Sequence, residues 1–324
     1  MDFQLGQDQM ALKAGVRELL TARFGREGLR AAMDNGPTLD RALWRELGDA
    51  GFFALRLPEA DGGVGLGLPE AVLAFEEAGR VLLPGPLVAT HLAAGTVDGA
   101  ATGEAVVAAV DGQLVEWLAV ADVVRGDAAG AEPLRSVDPL TPLHRVPASE
   151  GADLVLSGGA DPVPPMRADS SPSERADPAD VLLASLLTSL LTAAEQLGTA
   201  ARVGELAVQH ARTREQFGQP IGAFQAVKHL CAQMLVRVEV ARAAVYAAAV
   251  TADPLDVATA RLLADEAAVR GARDCLQVHG GMGFTWEADV HLYLKRAWVR
   301  TQRAGGATQS EDVLAEDLLV GTGQ

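Results

Sequence analysis

Apolar positions recur at helical spacing over most of this chain. In "FQLGQDQMALKAGVRELLTARFG", Leu5, Met10, Leu12, Val16, Leu19 and Leu20 fall broadly on one side of a helix. "TLDRALWRELGDAGFFAL" repeats the pattern with Leu39, Leu43, Trp44 and Leu47, and Gly48 and Gly51 loosen its end. "LPEADGGVGLGLPEAVLAFEEAGRVL" reads as a glycine-rich loop entering a helix near Pro69. Its glycines, Gly62, Gly63, Gly65 and Gly67, do not fit a G-x-G-x-x-G dinucleotide fingerprint. The period then changes. Over residues 101–176 short apolar runs ("AVVAAV", "QLVEWLAVADVV", "ADLVLSGG") lie between Asp, Gly and Pro clusters, the pattern of a small β-rich unit. "GGADPVPPMRADSSPSERADPAD" is a polar, Pro- and Ser-rich connector expected to be mobile.

Helical spacing returns at residue 177. Asp177-Pro178 and Asp253-Pro254 each read as an N-cap followed by proline at the first helical position. Val227, Leu230, Met234, Val238 and Ala241 form one stripe, and Leu255, Leu262, Val269 and Leu276 recur every seven residues in the next helix. Long helices with apolar faces and short connections predict a bundle. The chain is therefore expected to be mainly α. An N-terminal helical domain covers 1–100, a small β-rich middle domain 101–176, and a C-terminal four-helix bundle 177–324.

Composition narrows the function classes. The 324 residues carry 27 basic and 43 acidic side chains, a net charge of −16, which argues against nucleic acid and anionic membrane as partners. The N-terminus has no basic start and no apolar run, so a signal peptide is not expected. The uncharged apolar stretch of residues 181–194 is shorter than the ~20 residues of a membrane helix. Cys231 and Cys275 stand apart without a C-x-x-C pair, and the six histidines show no metal-ligand spacing. A soluble cytoplasmic protein without a metal site is the expectation.

Two motifs stand out. "TREQFGQPIGAFQAVKH", residues 213–229, sits between two apolar helices and is long for a helix–helix corner. Arg214 offers a planar fork of donors suited to a pyrophosphate. Gln216 and Gln225 can bond to it or to a ribose, and Phe217 offers a flat face to a base. On spacing alone a plainer assignment competes, with Arg214 paired to a bundle carboxylate and Phe217 filling core. The second motif is "QVHGGMGF", residues 277–284, where Gly280 and Gly281 permit positive φ and close backbone approach to a ligand. An ordinary glycine helix stop has the same look, and His279 suits packing better than catalysis.

Together the motifs are far more specific. "TREQFGQPIGAFQAVKH" followed one helix later by "QVHGGMGFTWEADVHLYLKRA" closely resembles the C-terminal helical domain of the acyl-CoA dehydrogenase family. "LWRELGDAGFFALRLPEADGGVGLGLPEAVLAFEEAGR" resembles that family's first helical domain. The resemblance covers residues 1–100 and 181–300 well and the middle poorly. It implies FAD-dependent 2,3-dehydrogenation of an acyl-CoA thioester. A glutamate takes the α proton, a flavin stacks on the opposite side, and donors stabilise the enolate-like oxygen.

Three parts of that apparatus are missing from the sequence. Ungapped matching from "GGMGF" puts Ala304 of "RAGGATQ" where the family carries one base, with Glu311 and Asp312 about seven residues too late. Some relatives place the base on the first bundle helix, and there Thr188 falls in its place. Glu195 follows two turns on, roughly 10 Å away. A helix carboxylate bonded to a neighbouring arginine is the plainer assignment for Glu195. The middle stretch also lacks segments like the family's Thr-Glu-Pro-x-x-Gly-Ser-Asp and Trp-Ile-Thr, and its one tryptophan, Trp117, has the wrong context.

In the family, residues matching Arg214, Gln216, Phe217, Gln225, Gln277, Val278, Gly280 and Gly281 grip the ADP half of a flavin bound mainly by the neighbouring subunit. The missing parts serve a subunit's own site. The resemblance thus implies a companion subunit without catalytic residues of its own. Its partner is a longer acyl-CoA dehydrogenase homologue that holds most of the acyl-CoA and shares the FAD across the interface. Short divergent chains of this kind resemble subunits of actinobacterial heterotetramers that act on steroid side-chain CoA esters, and 24 arginines against 3 lysines fit a GC-rich source. Two alternatives remain open here: a self-sufficient homodimer with Glu195 or Glu311 as displaced base, and a flavin-free binding protein.

Overall fold

The computed structural model describes residues 4–36, 38–147 and 178–321. The chain divides into two compact units: residues 1–29, 72–83 and 189–324 in one, residues 30–71 and 84–188 in the other. The connector of residues 158–180 lies almost wholly outside the described residues. So do "ADLVLSGG" and the cap expected at Asp177.

The first unit is helical. It contains α1 (Gln7–Arg23), most of α4 (Leu68–Val81) and of α6 (Pro178–Thr213), then α7 (Gln225–Thr251), α8 (Pro254–His279), α9 (Val290–Arg300) and α10 (Gly306–Gly321). Asp253 caps α8 as its sequence predicts, accepting from the Leu255 and Asp256 amides at 2.9 and 3.3 Å. Helix α8 packs along α7 and also carries α9 and α10. Its most buried face is lined by small residues, Ala260, Ala264, Ala268 and Ala272, so that neighbouring helices approach closely. The heptad expected to face the core is offset from this: Leu255, Leu262 and Val269 are only partly buried, and Leu276 alone is fully so. In α1 likewise, Leu20 is buried but Met10 is exposed, because the helix lies on the surface of the unit.

Two glycines set the crossing of α4 and α6. A Cβ on Gly79 would lie 2.0 Å from the Glu195 carbonyl oxygen, and one on Gly198 would lie 1.8 Å from that of Glu76. The helices touch backbone to backbone, and the Thr199 hydroxyl donates to the Gly79 carbonyl at 3.2 Å. Beside this crossing the buried carboxylates Glu76 and Glu77 are neutralised from neighbouring helices. Arg17 forks onto Glu77 with two 2.7 Å bonds, while Lys13 and the Tyr246 hydroxyl both donate to Glu76. Helix α6 is long and apolar enough by length and composition to cross a bilayer, further than its uncharged stretch alone suggested. However, 56% of its most apolar window is buried within the fold.

The second unit contains α2 (Arg26–Asp34), except for its first turn, then α3 (Arg41–Asp49), α5 (Leu87–Ala93) and a five-stranded sheet. The strands are β1 (Val107–Asp111), β2 (Leu114–Glu116), β3 (Val123–Arg125), β4 (Glu132–Leu134) and β5 (Leu143–Arg145), in the order β3-β1-β2-β5-β4. Only the β1–β3 pair is parallel. Ala108, Val115, Ala121 and Val124 form its buried centre. Trp117, 1% exposed and at φ 59°, is a core residue at the turn after β2. The sequence runs anticipated β1, β2 and β3; β4 and β5, Glu-Pro-Leu and Leu-His-Arg, are too polar to show an alternation.

Candidate functional site: an exposed hairpin beside an open glycine turn

Helix α6 does not run straight into α7. Its last helical bond is the Arg214 amide to the His210 carbonyl at 2.8 Å. The chain then forms a two-stranded hairpin, β6 (Glu215–Gln216) with β7 (Gln219–Pro220). Phe217 and Gly218 at its tip have φ of 55° and 78°. Two successive positive φ values make a type I′ turn, whose twist matches the paired strands. The Ile221 amide donates to the Arg214 carbonyl at 2.8 Å and closes the base, and a short 3₁₀ turn leads to α7. The sequence marks this corner only as unusually long; two-residue strands leave too little pattern to be read as a hairpin.

The hairpin faces solvent. Phe217 is 92% exposed, with only an edge contact to Phe224 at 6.0 Å between centroids. A bulky residue at positive φ is strained, and here no burial compensates it. Arg214 is exposed and has no ion-pair partner among the described residues, and Gln216 and Gln225 are exposed too. Core filling by Phe217 and pairing of Arg214 with a bundle carboxylate are therefore both absent.

The glycine segment is equally open. Helix α8 stops at His279, and Gly280 adopts φ 62°, ψ −144°, a region essentially confined to glycine. A Cβ at Gly280 or Gly281 would meet nothing within 4 Å, so the backbone there is accessible. Gln277 is exposed, whereas the Val278 side chain is buried and leaves only its backbone for contact.

The two motifs meet through a ring pair that the sequence did not single out. His210, one turn before Arg214, stacks on His279 with centroids 4.1 Å apart and planes 20° apart. The His279 Nδ1 lies 2.8 Å from the Cys275 carbonyl. Burial, then His279 and Arg214, push the His210 pKa down. An arginine fork, two amides, an exposed ring and open backbone thus occupy one end of one unit. That donor set fits a dinucleotide carrying a pyrophosphate. Among the described residues no cluster of three or more His, Cys, Asp or Glu could hold a metal.

The candidate base positions hold no free carboxylate at the expected places. Ala304 is buried in the α9–α10 corner at φ 51°, followed by Gly305 and Gly306 at 73° and 61°. Arg261, fully buried, pins this corner by donating to the Arg300 and Arg303 carbonyls and pairing with Asp265 at 2.9 Å. Thr188 turns its hydroxyl back to the Ala184 carbonyl at 2.7 Å. Glu195 is buried and forms an ion pair with Arg300 at 2.9 Å. Glu311 is exposed on α10. The roles of Arg300 and Arg261 were not legible in the sequence, because Glu195 lies 105 residues from Arg300 and the carbonyls that Arg261 binds lie 39 and 42 residues from it.

The sequence matches the family described as acyl-CoA dehydrogenase, N-terminal domain, over residues 6–105, and its C-terminal domain over 187–316. It is 34% identical over 322 residues to the acyl-CoA dehydrogenase IpdE2 of Mycobacterium tuberculosis (strain ATCC 25618 / H37Rv), covering 90% of this chain and 91% of that one. The chain belongs to the acyl-CoA dehydrogenase family. Among solved structures, one in the ChsE4–ChsE5 complex from Mycobacterium tuberculosis superposes with a TM-score of 0.81 at 25% identity. It covers 98% of this chain and 99% of its own. A Tcur3481–Tcur3483 steroid ACAD variant shares the fold, with a TM-score of 0.81 at 23% identity, covering 99% and 100%. This chain is therefore related to IpdE2 and to subunits of heteromeric acyl-CoA dehydrogenases, and the mainly helical architecture with a small central sheet is the family's.

Proposed function

We propose that this chain is a companion subunit of a heteromeric FAD-dependent acyl-CoA dehydrogenase. It contributes contacts to the ADP half of a flavin whose ring pocket and catalytic base belong to a longer homologous partner. The observation that carries this reading is Phe217, held at positive φ and 92% exposed on a hairpin whose Arg214 has no ion-pair partner among the described residues. Among the described residues Arg214 has no ion pair and Phe217 only an edge contact to Phe224, so both suit a ligand or surface supplied from outside. Arg214 would hold phosphate oxygens, Gln216 and Gln225 would donate to phosphate or ribose, and Phe217 would cover a flat ring. The open backbone at Gly280 and Gly281 would admit the pyrophosphate. When bound, the flavin supplies the hydride acceptor.

A proton acceptor within reach of the substrate is the other requirement of the reaction. Alanine at position 304 moves no proton, and Glu195 is engaged by Arg300 in a buried pair. The likeness to a subunit of the ChsE4–ChsE5 complex supports a heteromeric setting. A steroid side-chain CoA ester is the substrate class we infer for such an assembly.

The test is the visible spectrum of the purified protein. Expressed alone, the chain should be nearly colourless; co-expressed with its longer homologue it should give a yellow complex with one FAD for each pair of unlike subunits. A stoichiometric flavin spectrum from the lone chain would favour a self-sufficient homodimer instead. A colourless mixed complex would leave a flavin-free binding protein.

A further inference from the structure

The ring pair that joins the two motifs lies outside the residues assigned to the flavin above. His210 and His279 lie nearly parallel at 4.1 Å. His210 is tied to the hairpin, since its carbonyl accepts the Arg214 amide at 2.8 Å. His279 is tied to the glycine turn as its immediate neighbour in sequence. Its ring is fixed in turn: Nδ1 lies 2.8 Å from the Cys275 carbonyl, which can only accept, so Nδ1 carries the proton. A further proton on His279 can enter only at Nε2. The stack is the one ring contact between the α6 and α8 ends of the site among the described residues.

We propose that the His210–His279 stack is a proton-sensitive clamp that positions the hairpin of residues 214–221 beside Gly280 and Gly281, so that acidification loosens the flavin-holding end of the subunit. Two neutral imidazoles stack favourably, whereas two imidazolium ions at this separation repel. The charged or titrating groups acting on His210 are His279 and, from the hairpin, Arg214; Cys275, one turn back on α8, lies against His279. Lys228 and His229, near the start of α7, are exposed. Asp274 acts on the neighbouring Cys275 thiol, but none of the charges that shift His210 is acidic. The lowered His210 pKa agrees with the geometry: protonation there is disfavoured by burial and by both neighbours.

The role in flavin binding rests on the function proposed above, but the clamp itself can be tested in the full chain without flavin. Hydrogen exchange of the peptide covering residues 211–224, corrected for the intrinsic pH dependence of exchange, reads whether the hairpin is held. Protection should fall about fivefold or more between about pH 7.5 and about pH 5.5, the weight of one unit-charge repulsion at ~4 Å in water. With both His210→Phe and His279→Phe, flat rings remain but nothing titrates, and protection should be retained at both pH values. His210→Ala should lose it at both. Wild-type protection that does not change with pH overturns the clamp, whatever flavin does. FAD titration of the mixed complex is the second arm: affinity should fall with pH in step with protection, and the double Phe substitution should flatten that dependence. A flavin affinity that keeps its pH step in the double variant overturns the clamp's role at the flavin. Loss of the flavin reading itself would show separately, as an Arg214→Ala complex that binds FAD like wild type.

Discussion

Gly198 of α6 lies against Glu76 of α4 so closely that a Cβ on the glycine would sit 1.8 Å from the Glu76 carbonyl oxygen. The reciprocal contact of Gly79 with Glu195 makes the crossing symmetrical. Nothing flexible can yield, because the atoms in the way are backbone.

Gly198→Ala is therefore expected to destabilise the chain strongly although alanine is the better helix former. The gain in propensity is about 1 kcal/mol, while forcing two packed helices apart costs about 3 kcal/mol or more. Chemical denaturation should show a large fall in midpoint. An unchanged midpoint would mean the helices do not cross as described.

Glu195→Gln separates a structural carboxylate from a catalytic one. The buried pair with Arg300 predicts a stability loss of about 2–3 kcal/mol, with Arg300 left under-compensated. Turnover of the mixed complex with saturating acyl-CoA should stay nearly constant. A hundredfold fall in turnover with FAD content unaltered would make Glu195 the base, since general-base catalysis contributes ~10²–10⁴-fold.

Arg214→Ala should leave folding unaffected, because the side chain is exposed and has no ion-pair partner among the described residues. In the mixed complex it should weaken FAD binding by roughly 1.5–3 kcal/mol, the worth of a charged hydrogen bond to phosphate. Equilibrium titration with FAD measures this. Affinity within twofold of wild type would remove Arg214 from the cofactor contacts.

Stability should also respond to acid through His91. Burial, followed by the nearby Arg56 charge, lowers its pKa from 6.5 to about 4. The unfolded chain binds that proton more readily than the folded one between these values. The stabilisation is full above about pH 6.5 and is lost progressively as the pH falls toward about 4, amounting to about 3 kcal/mol. Urea melts of wild type and His91→Leu across this range should converge on acidification, with the variant's stability less dependent on pH.

Much of this chain was legible in one dimension. Helical periodicity located α1, α3, α4 and the long C-terminal helices, and Asp253-Pro254 marked the start of α8, because such signals depend only on neighbours along the chain. The residues of the two motifs, and alanine at position 304, were also evident from the sequence. What lay beyond it was contact at a distance. The glycines at 79 and 198 carry no signal along the chain, and only the crossing shows each filling a place where no side chain fits. Glu195 kept two assignments until Arg300, distant in sequence, was found against it. Phe217 could equally have been core, and only the hairpin's type I′ turn turned it outward to solvent. The meeting of His210 with His279 depends on how α6 and α8 end in space. Local order follows from side-chain chemistry read in sequence, whereas burial and pairing arise only when separate helices pack and exclude water from the groups between them.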